Sequence, residues 1–391
     1  MRILIVSREL PPRVGGAGSY TFNLASGLAE AGHSVTVVST TYKGEEREEL
    51  VVDRHLYKSG VREVIRVSFI RKMYILMIFF AVIREARKNI YDVVLVADSG
   101  AQKALSMGYP LVGIPIWIVF HGSEVKNFIR HPSLFFRLTG GWKRMRNLWE
   151  HASGCIAVSG YLSNVIIDAA PWLANKLHVV LHGIDTRAFS PDKKTRLEVR
   201  SSLKIPSDSK VIFSASRLVE MKGQDLLIKM MPDIIKTAPD TFLIIAGDGP
   251  YSKALKEISS SSGVEDRVKF VGELSREEII RFYQACDLFA LLSREVNEAF
   301  GLVYLEANAC GAPVIANNHG GAREAVENNV SGILLDLCRE DLSFKVAEVL
   351  SSPVLIAELS YLGLKRARES FSIKNMAINT VKTISAHTAI K

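Results

Sequence analysis

Apolar positions along this chain recur in two alternating patterns. Short runs of β-branched and other apolar residues are followed by stretches whose apolar residues are spaced as on one face of a helix. The first run, RILIVS, is followed by Tyr20, Leu24, Ala25 and Leu28, which have this helical spacing. Repeated strand–helix alternation is typical of parallel sheets covered by helices on both faces. We therefore predict an α/β fold.

The predicted strands fall into two groups, separated by a polar, proline-containing segment at 188–210. The first group is RILIVS, SVTVVS, YDVVLVA, WIVFH, GCIAVS and LHVVLHG, and the second is VIFSASR, TFLIIAG, RVKFVG, DLFALLS, APVIAN and GILLD. We predict one domain over residues 1–188 and another over 189–372. Near the C-terminus Ile373, Met376, Ala377, Val381 and Ile384 form one apolar stripe of a helix, which must pack against another surface.

Length and composition narrow the class of protein. The 391 residues suffice for two domains with separate cores. The net charge of +8 is compatible with an anionic ligand, an anionic membrane or a nucleic acid and does not separate them. The four cysteines form no CxxC pair, which argues against a zinc site and favours free thiols in a reducing, cytoplasmic setting.

We expect neither a signal peptide nor a membrane-spanning helix. The first ten residues, MRILIVSREL, lack the long apolar segment and the small-residue cleavage site of a signal peptide. The longest apolar run is MYILMIFFAVI, at 73–83. A spanning helix needs about 20 residues.

Two cations flank a predicted strand-to-helix turn. Arg217 follows the strand VIFSASR, and Lys222 precedes a helix that is predicted to begin near Gly223. The helix dipole disfavours a cation at this position. A bound anion would reverse that penalty, and the helix amides favour phosphate directly. The alternative interpretation is two solvated surface charges.

Two glycine-rich turns are weaker phosphate candidates. In GGAGSY, at 15–20, the glycines permit close backbone approach before a helix, although a simple tight turn explains them equally well. It is not a dinucleotide fingerprint, because Thr21 occupies the expected third glycine position and no acid follows the second strand. For AGDGPY, at 246–251, the sequence favours a structural turn over ligand contact.

Carboxylates also occur in a largely apolar stretch. The sequence NEAFGLVYLEANACGAPVIANNHGGAREA places Glu298 and Glu306 on either side of an apolar turn and Glu324 after a glycine pair. An acid in apolar surroundings is costly unless something binds it. This pattern predicts a ligand site.

Together these segments resemble a retaining glycosyltransferase of family 4, over nearly the whole chain and most strongly from 214 to 336. The matching pieces are GGAGSY, GHSVTVVS, HGSE, HGIDTRAF, SASRLVEMKGQDLL, AGDGP, EAFGLVYLEANACGAPVIA and GGAREAV. The resemblance implies the GT-B architecture, two Rossmann-like domains with parallel sheets facing an interdomain cleft. Residues 189–372 would bind the nucleotide-sugar donor. Residues 1–188 would form the acceptor side, completed by the C-terminal helix 373–391.

The resemblance also implies roles for individual residues. The donor-binding set is Gly16, Arg217, Lys222, Glu298, Phe300, Gly301, Leu302, Val303 and Glu306, and the catalytic set is His121, Arg217, Lys222 and Glu298. Glu306 would receive both ribose hydroxyls, since a carboxylate offers two acceptor oxygens. Arg217 and Lys222 would neutralise the diphosphate. Amides at the start of the helix after Gly301 would approach the same group.

The resemblance implies more limited roles for three further residues. Glu298 would face the transferred sugar, and His121 would position that sugar and not transfer a proton. Glu324 would order its loop or touch the sugar. The chain departs from the family pattern at Ala299, where glycine is common, and at Leu292 and His182. These departures leave donor identity open.

The implied reaction transfers a hexose-type sugar from a UDP-sugar or GDP-mannose to a hydroxyl of a glycan, lipid-linked or small-molecule acceptor. The chain has no Asp-x-Asp pair for a divalent ion. We therefore expect a metal-independent, cofactor-free enzyme that retains the anomeric configuration by front-side attack. A nucleotide-sugar epimerase of the same fold and a non-catalytic nucleotide-sugar binding protein are the alternatives.

A basic, aromatic segment extends from Lys126 to Trp149. Its six lysines and arginines are interleaved with aromatic residues, and it contains no acid. This composition suits peripheral contact with an anionic membrane face or an anionic acceptor. No nucleic-acid-binding module is recognisable, so a nucleic-acid partner is not expected. A single helix with buried rings and solvated charges is the alternative.

Overall fold

The chain forms two compact units. A computed structural model describes residues 1–12, 15–70, 73–88, 90–294, 299–338 and 342–388. Unit 1 comprises Met1–Gly183 and the segment that begins at Ile373, and unit 2 comprises Ile184–Ser372. The division falls slightly before the predicted boundary at 188. Asn23 Nδ2 donates to the Gly183 carbonyl at 2.9 Å within unit 1, whereas the Ile184 amide donates to the Phe371 carbonyl at 2.8 Å within unit 2.

Unit 1 is built on a seven-stranded parallel sheet with strand order β3-β2-β1-β4-β5-β6-β7. The strands are β1 Arg2–Val6, β2 Ser34–Thr41, β3 Glu63–Ser68, β4 Val93–Val96, β5 Ile116–Phe120, β6 Gly154–Ala157 and β7 Leu177–Val179. The central strands β1, β4 and β5 are apolar and buried on both faces, as a sheet covered by helices requires.

Helices cover the sheet of unit 1. In chain-order numbering they are α1 Gly16–Glu30, α2 Glu46–Lys58, α3 Tyr74–Ala86, α4 Ser99–Leu105, α5 Leu134–Leu138, α6 Gly141–His151, α7 Gly160–Ala169 and α16 Ile373–His387. The predicted apolar stripe of α16 packs against α1, with Met376, Ala377 and Ile384 buried. Trp117 Nε1 of β5 also donates to Thr388 Oγ1 at 2.8 Å.

Unit 2 contains a six-stranded parallel sheet with order β10-β9-β8-β11-β12-β13. Its strands are β8 Lys210–Ala215, β9 Thr241–Ala246, β10 Val268–Gly272, β11 Leu288–Leu291, β12 Val314–Asn317 and β13 Gly332–Leu335. Its helices are α8 Lys193–Ser202, α9 Gln224–Thr237, α10 Ser252–Ser261, α11 Arg276–Ala285, α12 Leu302–Ala309, α13 Ala322–Ala325, α14 Leu342–Ser351 and α15 Pro353–Ser370.

The prediction of two parallel-sheet, Rossmann-like domains is confirmed. One strand of unit 1, β3, is absent from the predicted set. It lies at the sheet edge, is only half-buried, and contains Glu63 and Arg66, so it lacks the apolar run that marks the central strands. Across the described ranges, none of the helices combines the length and hydrophobicity needed to span a bilayer.

Candidate functional site

The described candidates for donor binding in unit 2 lie at one edge of its sheet. Strand order reverses between β8 and β11, which are hydrogen-bonded neighbours. In open parallel sheets ligands bind at the carboxyl ends of the strands beside such a switch point. Arg217 follows β8, and the loop leading to α12 follows β11. The two segments singled out in the sequence therefore meet at the same edge of the sheet.

Glu306 lies on α12 and is half-buried. The buried Tyr283 hydroxyl donates to its Oε2 at 3.1 Å. Burial raises the pKa of Glu306, while the positive charge of Arg276 and the Tyr283 hydrogen bond oppose that rise. In the described part of the chain Tyr283 is its only hydrogen-bond donor, so the carboxylate keeps acceptor capacity for a ligand's hydroxyls.

Gly301 lets the chain enter α12 at a sharp angle. Its φ is +90°, and a Cβ there would lie 2.5 Å from Cε2 of Tyr304. The N-cap residue Gly301 has no side chain that could cap the helix, and the amides of Leu302 and Val303 lie in its first turn, where a helix lacks internal acceptors. This is the geometry expected for the proposed diphosphate contact.

The glycine pair after β12 packs directly on the loop before α12. A Cβ at Gly321 would lie 2.2 Å from the carbonyl oxygen of Ala299, so only glycine permits this approach. Phe300 is buried and packs against Phe371, with 5.8 Å between ring centroids. Glu298 was predicted to face the transferred sugar, but it lies outside the described residues.

Arg366 holds the segment that contains Glu324. Its guanidinium donates to the backbone carbonyls of Glu324 and Ala325, each at 2.7 Å, and lies 4.6 Å from the Phe371 ring centroid. Sequence reasoning did not identify Arg366. An arginine near the end of α15 gives no local signal that it reaches backbone carbonyls so far away in sequence.

Arg217 is exposed, and Lys222 is half-buried in a 3₁₀ turn immediately before α9. Backbone hydrogen bonds join Leu218 to the AGDGPY turn, since its amide donates to the Asp248 carbonyl at 2.9 Å and its carbonyl accepts from the Tyr251 amide at 3.0 Å. That turn therefore positions the Arg217 segment, in line with the structural role that its sequence favours.

An ion pair between half-buried Arg294 and buried Asp225 fixes the turn that contains Lys222. Arg294 donates from both terminal nitrogens to Asp225, at 2.7 and 2.8 Å, and also to the Glu220 carbonyl at 2.8 Å. Burial opposes ionisation of Asp225, but the hydrogen bonds from Arg294 and Lys229 hold its pKa below the usual value. The loop after β11 is thereby tied to the turn after β8. Neither Arg294 nor Asp225 was identified from the sequence.

In unit 1, His121 follows β5, is half-buried and stays uncharged near neutral pH. Its Nε2 donates to the Ala97 carbonyl at 2.8 Å, and burial lowers its pKa to about 4. The Tyr20 ring contacts it edge-on, with 4.9 Å between centroids. Because Nε2 carries the hydrogen, Nδ1 is the acceptor nitrogen. This chemistry suits a hydrogen bond from a sugar hydroxyl better than proton transfer near neutral pH.

The neighbouring Glu124 supports the loop after β5. Its Oε2 accepts the amides of His121 and Gly122 at 3.1 and 3.0 Å, and burial raises its pKa to about 7. Gly16, the other unit 1 candidate, is the exposed first residue of α1, and no atom of the described residues lies within 4 Å of a Cβ built there. As far as the described residues show, a ligand can approach its backbone.

The basic, aromatic segment is not one helix. It comprises a π-helical turn at Val125–Arg130 followed by α5 and α6. Phe128 and Trp149 point inward, whereas Leu134, Phe135 and Leu138 are 71%, 77% and 78% exposed. We call these last three side chains the α5 tip. A groove of about 590 Å³ beside α6 is lined by Gly140, Lys143, Arg144, Arg146, Asn147 and Glu150.

Among the described residues, this site contains neither a cluster of metal ligands nor a reactive thiol. Across the described residues, no group of three or more histidine, cysteine or acidic side chains is arranged to hold a metal ion. Cys155, Cys286 and Cys310 are buried free thiols, and Cys338 is exposed. Burial raises the pKa of Cys286 to about 12, so its thiol is inert at neutral pH.

Two Rossmann-like units of this kind define the GT-B fold of nucleotide-sugar-dependent glycosyltransferases. The model for Glycosyltransferase Family 4 matches residues 14–188, and the model for glycosyl transferases group 1 matches residues 195–366. The chain belongs to glycosyltransferase family 4 and is a glycosyltransferase.

Individual relatives and solved structures agree with this assignment. A GDP-mannose-dependent alpha-(1-6)-phosphatidylinositol monomannoside mannosyltransferase from Mycolicibacterium smegmatis is 29% identical, over 98% of each chain. A D-inositol 3-phosphate glycosyltransferase from Jonesia denitrificans is 34% identical over 50% of this chain and 48% of its own. Anabaena HepE, in complex with UDP and glucose, superposes with a TM-score of 0.78 at 23% identity, covering 99% of this chain and 100% of HepE.

Proposed function

We propose that this enzyme transfers a hexose-type sugar from a nucleoside-diphosphate donor to an acceptor hydroxyl in glycan, glycolipid or polysaccharide biosynthesis. One observation supports this proposal most directly. The turn with Arg217 and Lys222 and the helix α12, which begins after Gly301 and contains Glu306, both lie at the switch point of the unit 2 sheet. GDP-mannose is the first donor to test, because a relative aligned over 98% of the chain is GDP-mannose-dependent. UDP-sugars are the second.

The proposed roles follow from the chemistry of each group. Glu306 accepts the ribose hydroxyls, and Arg217, Lys222 and the amides of Leu302 and Val303 bind the diphosphate. As the bond from the anomeric carbon to the phosphate oxygen breaks, the acceptor oxygen bonds to the same face of that carbon. The departing phosphate takes the acceptor's proton. Glu298 and His121 contact the transferred sugar, as the family resemblance implies.

Transfer of radiolabelled sugar tests the proposal directly. The purified protein is incubated with labelled GDP-mannose or UDP-glucose and a cell extract, with the Lys222→Ala variant as control. Label in a new glycoside with the donor's anomeric configuration, read by NMR of the purified product, supports the proposal. Conversion of the donor to its epimer, donor binding without transfer, or an inverted linkage each contradicts it.

Metal chelation is expected to leave activity unchanged within about twofold, because the two cations and helix amides supply the charge that a divalent ion would otherwise provide. The measurement is the initial rate of transfer before and after EDTA treatment and gel filtration. A large loss that magnesium or manganese restores would reject metal independence.

We also propose peripheral contact between unit 1 and the anionic cytoplasmic face of a membrane. The α5 tip presents three apolar side chains to solvent, and Arg130, Arg137, Lys143 and Arg144 are exposed in the same segment. Apolar side chains enter the interfacial layer, while lysines and arginines attract anionic lipid. The enzyme would then encounter a lipid-linked acceptor at the membrane surface.

Removing the α5 tip is expected to weaken vesicle binding at least about tenfold, since three large apolar side chains lose their burial in lipid. The triple variant Leu134→Ser, Phe135→Ser, Leu138→Ser is compared with wild type by flotation on vesicles containing phosphatidylglycerol. Val354→Ser and Tyr361→Ser, which replace residues 79% and 67% exposed in unit 2, are the matched control. Equal flotation of the triple variant and the control, or flotation insensitive to salt, would contradict membrane contact.

A further inference from the structure

Glu124 has a carboxyl group that is completely buried inside unit 1. It is 0% exposed and directly precedes the π-helical turn Val125–Arg130. Among the described residues, no lysine or arginine forms an ion pair with it. Burying an acid is costly unless donors or cations hold it. Glu124 is therefore a buried titratable group to which the proposed mechanism assigns no role.

The Glu124 side chain holds the loop after β5. Its Oε2 accepts the backbone amides of His121 and Gly122, at 3.1 and 3.0 Å. Because β5 ends at Phe120, these are the first two amides beyond the strand. Glu124 therefore fixes the backbone from which the His121 side chain projects.

Two further contacts fix the His121 imidazole. Its Nε2 donates to the Ala97 carbonyl at 2.8 Å, and the Tyr20 ring contacts it edge-on, with 4.9 Å between centroids. Nδ1 remains as the acceptor nitrogen. Since the ring is bonded to Ala97 and the backbone to Glu124, the position of Nδ1 depends on both contacts. A displacement of about 1 Å in a group that positions a substrate can cost about 100-fold in rate.

The hydrogen bonds of Glu124 fit its neutral, protonated form. Both amides are bound by Oε2, whereas Oε1 is buried and has no hydrogen-bond partner among the described residues. A charge shared with such an oxygen is costly, while a neutral acid carries its proton there and keeps Oε2 as the acceptor. Burial raises the pKa of Glu124 to about 7, aided by the negative charge of Asp98 and opposed by the amide hydrogen bonds.

The groups around Glu124 determine when it ionises. Asp98, the N-cap of α4, contributes negative charge. His121 and the adjoining His182 are uncharged near neutral pH, because burial lowers the pKa of both. The other titratable side chains on the elements packed here are the buried Tyr20, the half-buried Lys103 and Tyr161, and the exposed Lys126, Arg130 and Asp168. Glu124 thus retains its proton until the pH rises to about 7.

We propose that Glu124, in its protonated form, is a positioning residue that holds His121 Nδ1 against the transferred sugar. The neutral carboxyl group binds both amides of the loop, whereas ionisation places an uncompensated charge inside unit 1 and disturbs that loop. The inference rests on the proposed function, which assigns His121 to the sugar. It makes the rate of transfer depend on a proton that does not itself move in the reaction.

Kinetics of the full chain with labelled donor test the assignment. Glu124→Ala removes the acceptor of both amides and is expected to lower kcat/KM at least about tenfold, because His121 is displaced. Glu124→Gln keeps an oxygen for the two amides and places an NH2 group where the neutral acid carries its proton, so it should recover most of that loss. Glu48→Ala, which replaces an exposed glutamate of α2, is the control.

The pH dependence separates the protonated from the ionised form. Wild-type kcat/KM should fall above about pH 7 as Glu124 ionises, and Glu124→Gln should lack this decline. Stability gives a check that needs no activity. The folded-state pKa of Glu124 is raised, so wild type should lose stability relative to Glu124→Gln as pH rises from the ordinary glutamate range to about 7. A difference in unfolding free energy that is constant with pH would contradict the protonated form.

A double-mutant cycle distinguishes positioning of His121 from general support of unit 1. If Glu124 acts through His121, adding Glu124→Ala to His121→Ala should lower kcat/KM by no more than about twofold further. Additive losses would indicate a structural role only and overturn the proposal. So would wild-type transfer by Glu124→Ala, or a Gln variant as impaired as the Ala variant. Failure of wild type to transfer sugar contradicts the proposed function instead, so the two failures are distinguishable.

Discussion

Lys222→Ala is expected to lower kcat by about 100- to 1,000-fold, the range found when one group that stabilises developing charge is removed. In the proposed reaction negative charge accumulates on the diphosphate as the glycosidic bond breaks. Arg217→Ala removes the second cation and is expected to have a comparable effect. In the proposed site both residues mainly stabilise the charge that develops on the diphosphate as the bond breaks, so the donor KM should change less than kcat.

The comparison needs a control for general damage to α9. Lys236→Ala serves, since Lys236 is exposed near the opposite end of the same helix and pairs with Asp233 at 2.7 Å. Melting temperatures of the three variants separate loss of chemistry from loss of structure. Retention of wild-type kcat by both Lys222→Ala and Arg217→Ala would show that the diphosphate is bound elsewhere.

Glu306→Ala is expected to raise the donor KM by at least about tenfold, because a charge-assisted hydrogen bond contributes roughly 1.5–3 kcal/mol. The ribose is distant from the reacting carbon, so kcat should fall less. Glu306→Gln keeps the shape but offers only one acceptor oxygen, so its KM should lie between wild type and Glu306→Ala. An unchanged donor KM in both variants would remove Glu306 from the site.

The same residue predicts a pH dependence of donor binding. Burial raises the pKa of Glu306, so donor affinity should fall at a higher pH than for an ordinary glutamate as the carboxylate protonates. The Tyr283 hydrogen bond favours the ionised form. Tyr283→Phe should therefore move this loss of affinity to still higher pH. Glu306→Gln should abolish it. Donor Kd measured across pH for the three proteins provides the check.

Ionisation of Glu306 should favour donor binding but lower the stability of the fold. Its folded-state pKa lies above the unfolded value, so the folded state holds the proton more tightly. The free energy of unfolding therefore decreases as pH rises from the unfolded pKa towards the folded one. Ionised Glu306 thus carries a stability cost in the absence of ligand, which is common for groups retained for binding.

The sequence predicts the repeating units of the fold well because buried parallel strands are continuous apolar runs. It predicts β3 poorly, because an edge strand tolerates Glu63 and Arg66 and needs no such run. The unit boundary is set by backbone hydrogen bonds of Gly183 and Ile184. Their partners, Asn23 and Phe371, are far away in sequence, so no local pattern marks the position.

The sequence predicts those parts of the candidate site whose residues lie close together along the chain. Glu306 and the glycines beside it form a readable pattern, as do Arg217 and Lys222. The supporting contacts are not local, since Arg294 reaches Asp225 and Arg366 reaches the Glu324 carbonyl across long stretches of chain. In sequence, a half-buried arginine that bonds to distant groups looks like any surface arginine, so these supports emerge only once the fold is known.

The return of the chain to unit 1 through α16 affects the order in which the protein matures on the ribosome. Residues 373–388 include a helix packed on α1 and a threonine bonded to Trp117, yet they are translated after all of unit 2. The N-terminal sheet emerges first, but the α1 face stays uncovered until residues 373–388 have followed unit 2 out of the ribosome. Nascent chains stalled within unit 2 should therefore expose that apolar face to chaperones, whereas unit 2 can fold as soon as its own residues have emerged.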